Sequence, residues 1–173
     1  MPRYGTTGNI AVRFAPTVVD MAAPTAAEVT AGVNLTNHMT RDGLKTPSTG
    51  NTIDAADAGS RFNATAPGTY GGDAAEYTGH RDSKTANDLA WTTLEAGTAG
   101  FLIVARAGFH QNATTGLGSP DGAPTAADRC EVYPVTVISR APSDTGDNET
   151  AKFTAQMAIT GEPVQDAVVA AGA

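Results

Sequence analysis

Residues 85–108 read TANDLAWTTLEAGTAGFLIVARAG, and this stretch decides the fold. Thr85 predicts a helix cap, with Asp88 near the positive end of the helix dipole. Leu89, Ala90, Thr93 and Leu94 share one helical face and Trp91 points to another, so the helix is expected to be covered on more than one side. Gly97 supplies the left-handed stop. Residues 101–105 (FLIVA) then read as a strand. Phe101, Ile103 and Ala105 face one way, and Leu102 and Val104 the other. With both faces apolar, the strand should be buried on both sides.

Outward from it, the chain alternates. Residues 9–15 (NIAVRFA) set Ile10, Val12 and Phe14 against Asn9, Ala11 and Arg13. Thr25 and Glu28 spell a capping box for a short helix closed by Gly32. Residues 33–40 alternate again, and Asp42-Gly43 reads as a hairpin turn. Residues 45–59 are small and polar apart from Ile53, as in a functional loop or extended arm. Residues 60–66 alternate through Phe62. Pro67-Gly68 and Gly71-Gly72 read as bracketing a turn around Tyr70, and Ala75 and Tyr77 as inward residues of a further strand. Residues 108–128 read as loop. Residues 129–139 read as a strand that Pro134 demotes towards an edge or bulge. Residues 151–160 (AKFTAQMAIT) alternate most cleanly, with Phe153, Ala155, Met157 and Ile159 inward and Lys152, Thr154 and Gln156 outward. A small, flexible tail is expected over 162–173.

With six to eight short strands, one helix and no βαβ rhythm, the chain reads as mainly β. The expected fold is an antiparallel β-sandwich with one flanking α-helix and a long loop or arm over 41–59, in a single domain spanning 1–173. Its expected core is Phe14, Phe62, Leu89, Trp91, Leu94, Phe101, Ile103, Val132, Phe153, Met157 and Ile159.

Composition bounds the function. A net charge of −7 without a basic cluster argues against binding nucleic acid by phosphate neutralisation. Aromatics make up 6% of the 173 residues, so the core is built from small side chains and burial is expected to finish against other copies. The lone cysteine, Cys130, forbids an intrachain disulfide and reads as a small buried hydrophobe. The start MPRYGTTGN has no apolar segment, and no run reaches membrane-spanning length, so synthesis in a reducing cytoplasm without a signal peptide is expected. His38, His80 and His110 lack metal-ligand spacing. Asp144-Thr145-Gly146 spells the tripeptide of aspartic proteases but follows RAPS rather than an apolar strand, so it reads as a polar turn. Nothing calls for catalytic residues, a metal or a cofactor.

Five stretches resemble one family: PTAAEVTAGVNLT (24–36), SRFNATAPGTYGG (60–72), DLAWTTLEAGTAGFLIVARAG (88–108), CEVYPVTV (130–137) and KFTAQMAITGEPVQDAVV (152–169). They are similar to the major tail, or tail tube, proteins of siphophages, especially those infecting actinobacteria. The resemblance implies a virion protein assembled in the host cytoplasm. Six subunits would form a ring, one sheet from each joining a continuous β-barrel, and rings would stack into a tube. The implied partners are further copies, the tape-measure protein, and tail terminator and tip proteins. DNA would pass through the lumen without specific binding, and no membrane or enzyme activity is implied. Arg13, Lys152, Thr154 and Gln156 are the candidate lumen residues, with Asp147 and Glu149 available to offset the two cations. Lys45, Ile53, Asp54 and Asp57 are the candidates for contacts through the arm. Two other readings compete: a monomeric β-sandwich binding module, such as a capsid decoration or adhesion domain, and a hydrolase using Asp144. A binding module usually exposes loop aromatics, which here are mainly Tyr4, Tyr70 and Phe109.

Overall fold

The 101–105 run lies in a strand, β7 (Ala99–Ala105), buried on both sides. In the computed structural model, which describes residues 8–55, 62, 64–143 and 149–171, Leu102 and Val104 enter one core cluster and Ile103 and Ala105 a second. Antiparallel neighbours flank it: β1 (Ala11–Ala15) and the long β8 (Arg129–Ser143).

The other elements are α1 (Ala26–Ala31), β2 (Val33–Asn34), β3 (Met39–Lys45), β4 (Ser48–Asp54), β5 (Thr65–Gly72), β6 (Ala75–His80), α2 (Leu89–Thr93), β9 (Lys152–Ile159) and β10 (Val164–Val168). One antiparallel sheet runs β2-β1-β7-β8-β9-β6-β3, with β10 also paired to β8; β4 and β5 form a separate two-stranded ladder. The main sheet folds over its own apolar face. Val12 and Phe14 of β1 share a cluster with Tyr77 of β6 and Phe153 and Met157 of β9. The Tyr77 hydroxyl, from near the far end of the sheet, donates to the Leu35 carbonyl beside β2 at 2.8 Å. The two layers are therefore one continuous hydrogen-bonded sheet. On the outer side of β1, β7, β8 and β10 lies the second cluster, which includes Val29 of α1 and Phe109 of the 108–128 loop.

The capping box forms as read: Thr25 Oγ1 accepts from the Glu28 amide, and Glu28 accepts from the Thr25 amide. The central helix is shorter than its pattern. Thr85 does not cap it, and Asp88 occupies the cap position without a capping bond, its Oδ2 accepting from Arg81 Nε at 2.7 Å. Five residues give one buried side. Ala90 and Leu94 fill it, whereas Leu89 is 48% exposed and leaves the expected core. Trp91 stands edge-on to Phe153 at 5.3 Å, with the Arg81 and Arg140 guanidinium groups 3.8 and 4.2 Å from its ring centre. Gly97 has the left-handed φ of +88°.

Phe14, Leu94, Ile103, Val132, Phe153 and Met157 are buried, and Trp91, Phe101 and Ile159 pack partly buried against the clusters. Phe62 does not belong with them: it is 76% exposed, and the ladder begins only at Thr65. Of the strand read over 60–66, residues 60, 61 and 63 lie outside the described residues, and Thr65 and Ala66 open β5.

Glycine misled the reading of turns. Asp42-Gly43 lies inside β3, and a Cβ on Gly43 would fall 2.2 Å from the Thr78 carbonyl oxygen; the glycine permits close strand approach. The supposed turn around Tyr70 is strand β5. Pro134 is central, not at an edge. Its carbonyl accepts from the Thr160 amide at 2.9 Å, and a strand residue's N–H and C=O point to the same flank. On that flank the partner changes from β10, opposite Val132, to β9, opposite Val135, so the missing donor falls in a gap between ladders. The expected C-terminal tail is instead β10. Ala167 and Val169 are buried, and the Val168 and Ala170 amides bond to the Ala22 and Pro24 carbonyls.

Burial in the second cluster pushes the Cys130 thiol up to about 12, with Asp128 and Glu131 adding to the shift. Burial also raises the Tyr77 phenol. Both groups stay protonated in the folded chain when the unfolded chain ionises. The stability they contribute is complete below their unfolded pKa values, near pH 9 for the thiol, and is lost as pH climbs towards 12. Urea midpoints should therefore fall between pH 9 and 12, and less steeply for Cys130→Ala, the difference approaching about 1.4 kcal/mol per pH unit for one proton. Parallel slopes would contradict this.

Candidate assembly surface

Four strands, β3, β6, β9 and the C-terminal part of β8, carry a polar face that neither core cluster covers. The alternation produces it. Tyr77, Phe153, Ala155 and Met157 point into the core, so their neighbours point out. Cross-strand pairing sets the outward residues in rows: Lys45, Glu76, Gln156 and Ser139; then Thr78, Thr154 and Ala141; then His80, Lys152 and Ser143. Thr154 Oγ1 lies 3.3 Å from Thr78 Oγ1 and 3.1 Å from Ser143 Oγ. Lys45 pairs with Glu76 at 2.8 Å and Lys152 with Glu149 at 2.9 Å. Each lysine on these rows thus has a carboxylate beside it.

Three of the four lumen candidates, Lys152, Thr154 and Gln156, sit together on this face. Arg13 does not. It lies on the second-cluster side of β1, 9% exposed, its Nη2 donating to the Gly122 carbonyl at 3.3 Å and its guanidinium 5.6 Å from the Phe109 ring centre. Burial lowers its pKa, and Asp121 partly offsets the shift. Alternation in β1 placed Arg13 opposite Phe14 correctly, but the 108–128 loop covers that side too. Asp128 fixes this loop by accepting from the His110, Gln111 and Thr125 amides at 2.7 to 2.8 Å. Glu76, Thr78 and His80 complete the rows; the alternation of residues 75–80 could have revealed them.

Among the described residues, both margins of the face pair on one side only. β3 pairs with β6 alone in the main sheet. β7 accompanies β8 through Thr136, and residues 138–143 then pair only with β9. Pro142 lies in this one-sided segment, where a missing donor is tolerated.

The 41–59 segment divides between β3 and an arm made by β4 and β5. Every residue of β4 is exposed, Ile53 by 59%, and Tyr70 on β5 by 68%. Lys45 sits at the root, and Ile53 and Asp54 pair with Ala66 and Thr65 near the far end of the ladder. Asp57, Asp144 and Tyr4 lie outside the described residues. An open cleft of about 1190 Å³ separates the arm root from the β9–β10 corner. Among the described residues no group of His, Cys, Asp or Glu is arranged to hold a metal ion, and no helix is long and apolar enough to cross a membrane.

A rolled antiparallel sheet with one wet face, two half-paired margins and an exposed two-stranded arm defines a structural subunit. The chain belongs to the phage tail tube protein family, whose model matches residues 1–172. It is a structural component of the phage tail, and the family is a structural one rather than an enzyme class. Its fold is similar to that of the SPP1 tail tube (TM-score 0.59, 14% identity, 97% of this chain and 81% of that one). It also resembles a chain of the anti-feeding prophage baseplate (0.54, 10%, 94% and 95%) and one of a native gene transfer agent virion (0.52, 12%, 98% and 100%). A search of curated proteins finds no match.

Proposed function

We propose that copies of this chain join edge to edge into six-membered rings, with the polar four-stranded face lining a channel, and that the rings stack into the tail tube. The tube encloses the tape-measure protein before infection, meets terminator and tip proteins at its ends, and conducts DNA during infection. The observation that carries the reading is the polar face with a free margin on each side. From β8 to β9 to β6 to β3 the strand direction reverses three times, so β3 of one copy lies antiparallel to β8 of the next. An even strand count thus continues the antiparallel pattern through every seam and leaves neither margin of this face open. Exposed Ile138 beside the β8 margin gives the seam apolar surface. Sixfold rings accord with the baseplate neighbour, which is described as 6-fold symmetrised. On the rows described, lysines offset by glutamates and a band of hydroxyls offer phosphate no net positive strip, so DNA slides. The exposed arm makes contacts between copies in adjacent rings.

Cysteine pairs test the seam. Within one copy β3 and β8 are separated by two strands, about 14 Å at ordinary strand spacing, too far for a disulfide. Single replacements at Arg41 or Asp42, combined with Ser139 or Ala141, should give disulfide-linked ladders up to the hexamer in assembled protein. Electron microscopy should show rings or tubes about 100 Å wide. Assembled tubes without a crosslink from any pair would place the seam elsewhere. A monomer that persists with tape-measure and initiator proteins present would overturn the function.

A further inference from the structure

We infer that Arg106, held by Glu131 and Tyr133, is a positioning residue that fixes the direction of the β4–β5 arm through Thr46, with a Tyr70–Glu162 tie securing the opposite side of the arm root. The inference rests on the reading of the arm as a contact between copies.

The arm continues the β3–β6 ladder but is not part of it. The last body pair is Lys45 with Glu76, and the first arm pair is Ser48 with Gly72. Between them lie Thr46 and Pro47 on one strand and Asp73 and Ala74 on the other. Pro47 has no N–H and a fixed φ, which interrupts the ladder and makes that strand stiff. Two short unladdered links would let a rigid hairpin swing, and a swinging arm would lose entropy on docking.

The side chains oppose that freedom. Arg106 Nε donates to Glu131 Oε1 at 2.6 Å, and Nη2 to Glu131 Oε2 at 2.9 Å, a two-pronged contact that fixes the guanidinium plane. Glu131 Oε2 also accepts from the Tyr133 hydroxyl at 2.8 Å, and the Tyr133 ring is buried in the first cluster. From this core-anchored group Arg106 Nη2 reaches the Thr46 hydroxyl at 3.2 Å. Across the cleft the Tyr70 hydroxyl donates to the Glu162 carboxylate. Gly72 lets the returning strand lie against Ile159, where a Cβ would come within 2.7 Å of the Ile159 Cδ1. Three body elements, namely the end of β7, β9 and the β9–β10 corner, thus grip the root.

Cys130 is buried and is the only cysteine, so introduced cysteines can be spin-labelled selectively. Labels at Thr52→Cys on the arm and Thr30→Cys on α1 report the arm-to-body distance in the unassembled subunit. Thr46→Val keeps the shape and removes the acceptor; Thr46→Ser keeps the acceptor. Thr46→Val and Tyr70→Phe should each widen the distance distribution, and together widen it about twofold or more, while Thr46→Ser matches the parent. Tube yield should fall roughly tenfold in the double variant with little change in the melting temperature of the body, as removal of surface ties predicts. An unchanged distribution in the double variant would overturn the positioning role. A widened distribution with full tube yield would leave the positioning intact and overturn the arm's role in assembly.

Discussion

A chain with residues 48–72 replaced by a short glycine-containing turn is expected to fold and to form no tubes. No described residue of that segment belongs to either core cluster. Among the described residues the arm strands pair only with each other, and removing them lets β3 run into β6 through a tight connection. The lost body contacts are polar ties at the surface and the approach of Gly72 to Ile159, so the melting temperature should move by only a few degrees. Assembly, by contrast, loses the arm proposed to join copies, in which every residue of β4 is exposed. Ile53 and Tyr70, solvent-exposed on the ladder, are the apolar anchors in the proposed contact between copies. Thermal melting followed by circular dichroism reads the first expectation and electron microscopy the second. Normal tubes from the shortened chain would remove the arm from the assembly surface. Should the shortened chain not fold, Ile53→Ser asks the same question with the ladder and the Tyr70–Glu162 tie intact.

The second large effect is on stability. Phe153→Ala should cost about 3–5 kcal/mol, a sizeable part of the roughly 5–15 kcal/mol that holds a domain folded. Phe153 has no exposed surface and sits between Tyr77, 5.9 Å away, and Trp91, 5.3 Å away. Its removal opens a cavity where the folded sheet, α2 and the Trp91 stack meet. A core this poor in aromatics has little large side-chain volume to move into the space. At roughly 2–4 °C per kcal/mol for a chain of this size, the melting temperature should fall by roughly 10 °C. Trp91 is the sole tryptophan, so its emission should shift with the same transition. A loss below about 1 kcal/mol would mean that the site collapses around the gap.

Phe153 and Gln156 show what local pattern can reach. Phe153 lies in the cleanest alternation of the chain, and its burial, with the exposure of Gln156, follows from period two alone. The doubly apolar 101–105 run likewise announced a strand between two layers, and Thr25 with Glu28 announced α1. Phe62 and Leu89 show the limit. Each has a core side chain, yet Phe62 stands outside the ladder and Leu89 turns outward on a helix with one buried side. Arg13 shows the converse: a charged residue at a polar position of an alternating strand, covered by a distant loop. Glycines and prolines misled most, because a glycine marks a turn and a close strand approach alike, and a proline marks an edge and a gap between ladders alike.

By itself the sequence determined which faces are apolar, because side-chain alternation is a property of the backbone and needs no partner. It also determined the family, through stretches spread over most of the chain, and the acidic balance. Only the tertiary structure decided that one continuous sheet folds over its own core. It also decided that β10 closes what read as a tail, and that Lys45, Glu76, Gln156 and Ser139 stand in one row. The physical reason is range. Periodicity acts over two to four residues, whereas strand order, register and cover join residues dozens of positions apart, and no local preference encodes which distant strand or loop arrives to pair.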